Sequence, residues 1–238
     1  MAETLNLWKQ GLGELPESLW ERTELRVLIL ADNELTRISP RIGRLRQVHT
    51  LDLGHNALDS IPEELAELPL TEYLYLHDNQ LTELPRSLGR LTGLRYLNVG
   101  ENHLAILPDA LGAMTGLVEF RAQHSRLTVL PDTIGQLCQL RELWLRGNAL
   151  TGLPESVSRL AELRHLDLRE NALAEVPEAL AGLPLLRNVD LRSNHLRELP
   201  DWLSGLPSLE KLDLRWNTMV PQPHVLGLLR ERGCVVLT

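Results

Sequence analysis

Cysteine and phenylalanine are scarce in this 238-residue chain, which contains two cysteines and one phenylalanine. Cys138 and Cys234 are separated by about four copies of the repeat described below. That separation is too large for a disulfide, which needs Cα atoms roughly 4.4–6.8 Å apart. The sequence therefore predicts a reducing, intracellular setting, and it predicts Cys138 to be a small buried side chain rather than a reactive thiol.

Long apolar runs and an excess of positive charge are also missing. No run approaches the roughly 18 residues that a membrane-spanning helix needs, and the first residues, MAETLNLWKQ, lack the basic and apolar regions of a secretory signal. The formal net charge is −8 and the pI is about 5.5, whereas nucleic-acid binders usually carry a basic face. We therefore expect a cytoplasmic protein with no membrane insertion and no nucleic-acid partner.

Signatures of catalysis are absent as well. The chain has no G-x-x-x-x-G-K-[ST], no G-x-G-x-x-G opening a helix, no H-E-x-x-H and no G-x-S-x-G. A repeat and a C-terminal tail account for every stretch, which leaves no residues for a catalytic domain. The sequence thus predicts a protein that is not an enzyme and that holds no cofactor or metal ion.

One period of 23 residues runs through the whole chain, and self-similarity at a fixed period is the signature of a repeat architecture. Proline returns at this interval, with Ser39 in one proline position, and asparagine returns with Gln10 and Ser125 in two of the asparagine positions. Ten units follow one another from Ala2 without a linker, so we predict a single domain over residues 1–238. The asparagines are Asn33, Asn56, Asn79, Asn102, Asn148, Asn171, Asn194 and Asn217.

Each unit reads L-x-x-L-x-L-x-x-N-x-L-x-x-L-P-x-x-L-x-x-L-x-x, and LRELWLRGNALTGLPESVSRLAE, residues 140–162, is a clear copy. This pattern resembles the leucine-rich repeat family. The proline after the fourth leucine resembles the 23-residue repeats of Ras-suppressor-type, Roco-type and bacterial proteins. The resemblance covers nearly the whole chain. It implies an α/β horseshoe solenoid with a parallel β-sheet on the concave face and short 3₁₀-helical or extended segments on the convex face.

The residues themselves favour the same architecture. L-x-L is typical of a short strand with one buried face, and a buried Asn can bond the backbone of neighbouring turns. Proline favours extended or 3₁₀ backbone on the outer side. Ten strands would stack in parallel about 4.8 Å apart. The tail at about residues 218–238, with a helical pattern and then CVVLT, is predicted to cap the C-terminal end.

The stretch FRAQHSRL, residues 120–127, departs from the repeat once. Phe120 and Ala122 stand in place of two leucines that point into the core, and their summed volume is nearly that of the leucine pair. Ser125 replaces an asparagine. Volume-conserving changes are usually tolerated in cores, so we predict a compensated local repacking. The alternative is a local softness that tunes the concave face.

Aromatic residues collect at the strand positions that project from the concave face. Exposed Tyr and Trp are typical anchors of protein interfaces, although large residues are common on strands in general. Beside them, a column of aspartates lies next to a column of arginines, which is either a self-neutralised lattice or a specificity surface. The residues predicted to bind a partner protein are Tyr73, Tyr75, His77, Tyr96, Asn98, Glu101, Arg121 and Trp144.

Two other groups of residues leave alternatives open. Asp32, His55, Asp78, Glu101 and His124, with His77 beside them, have the residue types of a metal site. Ligands about 4.8 Å apart along one row do not converge on an ion, and no metal site is predicted. Trp20 stands where other units mostly carry Gly, Ala or Ser. It either folds over the open N-terminal end or forms an end-to-end dimer contact.

The leading functional prediction is a protein–protein interaction scaffold or adaptor that binds an unknown partner on its concave face, as a monomer or an end-to-end dimer. The alternatives are a glycan or small-molecule receptor and a self-assembling structural module. Some similar bacterial repeat proteins act as effectors because a ligase or kinase domain follows the repeats. No such domain follows in this sequence, and an effector would act in a host cytosol.

Overall fold

The computed structural model describes residues 3–220 and 223–238, and its strands form a single eleven-stranded parallel sheet in chain order. The strands are β1 Thr4–Asn6, β2 Val27–Ile29, β3 Thr50–Asp52, β4 Tyr73–Tyr75, β5 Tyr96–Asn98, β6 Glu119–Arg121, β7 Glu142–Trp144, β8 His165–Asp167, β9 Asn188–Asp190, β10 Lys211–Asp213 and β11 Val235–Leu237. One α-helix, α1, spans Pro223–Glu231. No helix among the described residues is long and apolar enough to cross a bilayer.

Short 3₁₀ helices form the opposite side of each unit. They span Glu17–Glu21, Pro40–Arg44, Glu63–Glu67, Arg86–Arg90, Asp109–Ala113, Asp132–Gln136, Glu155–Arg159, Glu178–Leu180 and Asp201–Gly205. The repeated proline directly precedes all but one of them. Ser39 precedes the second 3₁₀ helix, and its hydroxyl accepts the amide hydrogen of Arg41 at 3.3 Å. The predicted leucine-rich-repeat horseshoe, with sheet and 3₁₀ helices on opposite faces, is confirmed.

The strands pair in the register that the 23-residue period dictates, so that Tyr73 lies opposite Tyr96 and Leu74 lies opposite Leu97. The leucines of the L-x-L motif are fully buried in most units, and they form one continuous core. Because side chains alternate between the two faces of a strand, the x positions point away from this core. The period therefore places one column of side chains on the concave face for each projecting position.

A left-handed turn follows the strand in each of the ten 23-residue units. The turn residue has a φ between 49° and 67°, and it lies three residues after the end of the strand. Gly147 is the one glycine among these turn residues. The other units therefore place a residue with a side chain in a backbone region that non-glycine residues rarely adopt. The non-glycine members are Lys9, Asp32, His55, Asp78, Glu101, His124, Glu170, Ser193 and Trp216.

The buried asparagines form a ladder through the solenoid. The Oδ1 of Asn79 accepts the amide hydrogen of Leu58 at 3.0 Å, and its Nδ2 donates to the carbonyls of Leu53 and Leu76 at 3.0 and 3.1 Å. The Leu76 carbonyl also accepts from Asn102 of the next unit. Each such carbonyl is thus shared by asparagines of two neighbouring units, and the ladder satisfies backbone groups enclosed by the coil.

The ladder is interrupted at Ser125. The Ser125 hydroxyl is buried and has no hydrogen-bond partner, and the Val99 carbonyl keeps only the bond from Asn102. Phe120 and Ala122 are both fully buried, and the pairing of β5 with β6 continues without a shift. The exchange of two leucines for a larger and a smaller residue is therefore accommodated in the core, while the polar ladder is divided into two segments.

We expect Ser125→Asn to raise the free energy of unfolding by about 1–2 kcal/mol, because the new amide can bond the Leu104 amide hydrogen and the Val99 carbonyl. Urea denaturation followed by circular dichroism measures the change. Ser125→Ala is the matched control, and it should be nearly neutral because the hydroxyl it removes has no partner. A loss of stability in Ser125→Asn would show that the backbone of residues 120–127 cannot accommodate an asparagine side chain in the ladder.

The C-terminal tail extends the sheet. Val225 and Leu229 of α1 are buried against the last unit, Gly233 reverses the chain with a φ of 85°, and β11 pairs in parallel with β10. The guanidinium of Arg232 donates to backbone carbonyls near the end of the last 3₁₀ helix, including that of Leu206 at 2.8 Å. The CVVLT segment is thus an eleventh strand in addition to the ten predicted. Pro221 and Gln222, in the predicted cap, lie outside the described residues.

The burial of Trp20 fits one of its two predicted alternatives, whereas the exposure of Cys138 contradicts its prediction. Trp20 is 1% exposed, beside Pro40, so its ring is not available for the contact between two copies that was one of its predicted roles. Cys138 is exposed, and the prediction of a buried thiol was wrong. The position equivalent to Cys138 in other units is also exposed and carries Thr92 or Thr115, which is the signal that could have shown it.

Candidate functional site

Tyr73, Tyr75, Tyr96, Arg121 and Trp144 form a continuous patch on the concave face, here named the aromatic surface. The rings of Tyr75 and Tyr96 lie 4.9 Å apart between centroids, and those of Tyr73 and Tyr96 lie 5.5 Å apart. Tyr73 stacks on Tyr75 at 5.9 Å and keeps 43% of its surface exposed. The 23-residue register brings the three rings together, because β4 and β5 carry them at neighbouring projecting positions.

Arg121 joins the tyrosines to Trp144. Its guanidinium lies 5.8 Å from the centroid of Tyr96 and 5.0 Å from that of Trp144, within the range of cation–π contacts. Glu119 accepts a hydrogen bond from Arg121, and Glu142 accepts one from the indole of Trp144 at 3.2 Å. These bonds fix the orientations of Arg121 and Trp144 on the sheet.

The hydroxyls of Tyr75 and Tyr96 stay protonated near neutral pH. Burial raises the pKa of Tyr96 to about 12, against the opposing influence of Arg121. Burial also raises the pKa of Tyr75, and the carboxylate of Asp52 adds to that shift. The surface therefore offers neutral rings and phenol groups that can donate or accept hydrogen bonds.

Two histidines adjoin the N-terminal side of the aromatic surface. His77 lies 5.9 Å from Tyr75 between ring centroids and 4.6 Å from His55. The side chain of His77 lies against Gly54, where a Cβ atom would overlap the imidazole. Burial, with the nearby His55, lowers the pKa of His77, so this ring is neutral at pH 7.

Two predicted contact residues are placed differently from the others. Asn98 is only 6% exposed, and its Oδ1 accepts the amide hydrogen of Gly100 at 3.1 Å, so it lies beneath the patch instead of projecting from it. Glu101 is exposed at the left-handed turn next to His77. Apart from Asn98, the predicted contact residues therefore lie close to one another around Tyr73, Tyr75 and Tyr96. Asn98 supports the end of its strand.

The aspartate column has a structural role. Asp167, Asp190 and Asp213 each accept the amide hydrogen of the residue two positions on, at 3.1–3.3 Å, as Asn98 does. Arg192 pairs with both Asp190 and Asp213, at 2.6 and 3.3 Å. These contacts describe a lattice in which most charges are already paired.

The lattice affects its acids in opposite directions. Burial raises the pKa of Asp167, although the amide and guanidinium of Arg169 oppose that shift. Burial acts the same way on Asp213, but hydrogen bonds from Arg215 outweigh it and lower the pKa of that carboxyl. A cavity of about 330 Å³ lies beside this lattice. Its polar and aromatic lining includes Trp144, His165, Asn188, Asp190 and Lys211.

Trp216 was not among the predicted contact residues, and its exposure makes it a candidate. It is 71% exposed, in a left-handed turn with a φ of 61°. The guanidiniums of Arg215 and Arg192 lie 5.5 and 5.8 Å from its ring centroid. A bulky residue is strained in this backbone region, and such strain tends to persist at functional sites. The signal was available in the sequence, because the other turn positions carry mostly small or polar residues.

Structural comparisons with known proteins show the same solenoid. A leucine-rich-repeat protein of Leptospira interrogans is 27% identical with a TM-score of 0.71, and the alignment covers 94% of this chain and 69% of that one. The Arabidopsis receptor kinase HAESA, solved with the peptide hormone IDA and the co-receptor SERK1, is 29% identical with a TM-score of 0.77, at 91% and 38% coverage. The chain from the Drosophila Toll–Spatzle complex has a TM-score of 0.81 at 23% identity, with 91% and 31% coverage.

Sequence comparisons identify the family. No curated protein matches the chain. The profile described as "Leucine rich repeat" matches residues 23–81, 46–104, 115–173 and 176–219, which together cover more than half of the sequence. With the parallel sheet, the asparagine ladder and the solved neighbours, this match shows that the chain belongs to the leucine-rich repeat family.

Proposed function

We propose that this protein is a non-enzymatic interaction module that binds a partner protein on its concave face through the aromatic surface. The observation that carries the proposal is the patch itself, in which five neighbouring Tyr, Arg and Trp side chains lie together outside the core. Tyr, Trp and Arg dominate the hot spots of protein interfaces. A half-exposed Tyr73 gives no packing benefit to the core, so a partner that buries it supplies the reason for its presence.

The solved relatives support binding in general. HAESA was solved with a peptide hormone and a co-receptor, and the Toll chain was solved in a complex with Spatzle. This chain spans 38% and 31% of those two proteins, so the identity of its partner is not transferred from them. The unpaired state of both cysteines supports the proposed cytoplasmic setting, or a host cytosol if the protein acts as a bacterial effector.

The test is a pull-down from source-cell lysate with wild type and a Tyr75→Ala/Trp144→Ala variant as paired baits, read by mass spectrometry. We expect a protein captured by wild type to be lost with the variant, and its affinity measured by calorimetry to fall at least about 100-fold, because two hot-spot residues are removed. The melting temperature should change little, since neither side chain belongs to the buried core.

A matched control comes from another exposed pair. Ile106 and Val129 occupy the same position of neighbouring units and are 62% and 54% exposed, and they do not belong to the aromatic surface. Ile106→Ala/Val129→Ala should therefore retain the captured protein. Unchanged capture by the Tyr75→Ala/Trp144→Ala bait would contradict a concave binding site, and loss of capture only with the Ile106→Ala/Val129→Ala bait would move the site to that side.

A second candidate function follows from the cavity beside Trp144. Its volume of about 330 Å³ and its lining by His165, Asn188 and Lys211 suit a glycan or another small polar molecule. A glycan array distinguishes the two functions. Binding that is lost with Asn188→Ala and kept with Tyr75→Ala would favour the receptor, because Tyr75 does not line this cavity.

A further inference from the structure

His55 and His77 point their imidazoles at each other across neighbouring strands. Their Nε2 atoms are 3.2 Å apart, and the ring planes are inclined by 78°. The ring centroids are 4.6 Å apart. A straight N–H···N bond of this length would separate the centroids by roughly 5.5 Å. At least one imidazole is therefore inclined to the line that joins the two Nε2 atoms, so the contact is not a straight hydrogen bond.

This spacing matches the distance between two nitrogen ligands bound to one metal ion. Zinc binds imidazole nitrogen at about 2.0–2.1 Å, so two nitrogens on one tetrahedral ion are about 3.3–3.4 Å apart. The observed 3.2 Å between the two Nε2 atoms is close to that separation. Side chains about 4.8 Å apart along a single row do not converge on one ion. His55 and His77 instead belong to adjacent rows of adjacent units, and their side chains converge.

The surroundings of His55 are those of a metal ligand. Its Nδ1 lies 2.6 Å from Oδ2 of Asp78, and an ionised carboxylate can only accept. The Nδ1 of His55 therefore donates the hydrogen of this bond, and Nε2 is the ring nitrogen that faces His77. Metal-binding histidines usually donate their other N–H to a carboxylate in this way.

The positions of both rings are also set by the fold. His55 and Asp78 occupy the left-handed turns of consecutive units, with φ of 54° and 52°. His77 lies in a recess that exists because Gly54 has no side chain. The Nδ1 of His77 has no hydrogen-bond partner, so Asp78 is the one outer support of the pair among the described residues.

We propose that His55 and His77 chelate a divalent borderline metal ion of the Zn²⁺ class through their Nε2 atoms, with Asp78 positioning His55. Imidazole ligands suit zinc, copper and nickel, and they do not suit magnesium or calcium. No group of three or more His, Cys, Asp or Glu residues within 3–220 and 223–238 is arranged to hold an ion. Water therefore takes the remaining coordination positions, and the site is open to a further ligand. Binding at this site does not depend on the proposed partner.

The test is calorimetric titration of ZnCl₂ into the untagged protein carrying Cys138→Ser, since the exposed Cys138 thiol would also bind zinc. We expect one saturable site. His77→Gln and His55→Asn should each weaken zinc binding at least tenfold, and Asp78→Asn should weaken it about 10–100-fold because only the outer support is lost. Asparagine tolerates the left-handed turn, so the two turn substitutions keep the backbone.

The controls use other exposed histidines and other ions. His103→Gln and His195→Gln remove exposed imidazoles of another part of each unit and should leave the titration unchanged. MgCl₂ should give no heat of specific binding, and CuSO₄ should bind more tightly than ZnCl₂. The proposal is overturned by the absence of saturable zinc binding in the Cys138→Ser protein, or by zinc binding that survives both His55→Asn and His77→Gln. Either result would show that His55 and His77 form only a hydrogen bond with each other.

Discussion

Replacing Asn102 by alanine is expected to lower the free energy of unfolding by about 3–4 kcal/mol. Asn102 is 3% exposed, and its side chain bonds the amide hydrogen of Leu81 and the carbonyls of Leu76 and Val99. The Leu76 carbonyl would keep its bond from Asn79. The Leu81 amide and the Val99 carbonyl would lose their ladder bonds, and each unsatisfied buried group costs about 1–3 kcal/mol.

Asn79→Ala is the matched comparison. The two carbonyls that Asn79 shares, those of Leu53 and Leu76, keep bonds from Asn56 and Asn102. Only the Leu58 amide loses its ladder bond, so the expected loss is about 2 kcal/mol. Urea unfolding of both variants measures the difference. Equal losses of unfolding free energy in the two variants would show that the missing asparagine at position 125 does not make Asn102 more important for stability.

Gly135→Ala is expected to cost about 2–3 kcal/mol through overpacking. A Cβ atom on Gly135 would overlap the carbonyl oxygen of Ser156, and this oxygen belongs to the backbone of the next 3₁₀ helix and cannot rotate away. The convex segments stack so closely in the middle of the solenoid that only hydrogen fits between them. The added methyl group therefore has to separate two units.

Gly182→Ala serves as its control, because nothing lies within 4 Å of a Cβ atom placed there. Removing glycine at an unstrained position restricts the unfolded chain, so this variant should be neutral or gain about 0.4–1 kcal/mol. Thermal unfolding of the pair tests the argument. If Gly135→Ala and Gly182→Ala had the same melting temperature, the stacking of the convex segments would be looser than the structure shows.

The period was sufficient to predict the fold, because spacing alone decides which side chains share a column. It placed the leucines in the core, and it placed Tyr73, Tyr75 and Tyr96 side by side on the sheet. It could not show that the side chain at Asn98 turns back to bond its own strand end, since that depends on hydrogen-bond geometry within one unit.

The repeat period does not specify side-chain rotamers. The convergence of His55 and His77 depends on ring orientations and on the recess at Gly54, neither of which a column position specifies. Trp20 is similar, because a large side chain in a small-residue position at the chain's first unit can turn inward or outward, and in the structure it is turned inward and buried.

The gap in the asparagine ladder also bears on how the protein unfolds. In a repeat protein, stability is approximately a sum over units and their nearest-neighbour contacts. The contact between the units of β5 and β6 lacks the bonds that Ser125 cannot make, so we expect the two halves to behave as separate cooperative blocks in hydrogen exchange. The aromatic surface crosses this boundary, with Tyr96 on one side and Arg121 on the other. A partner bound there would connect the two blocks, so that they would unfold in one cooperative step.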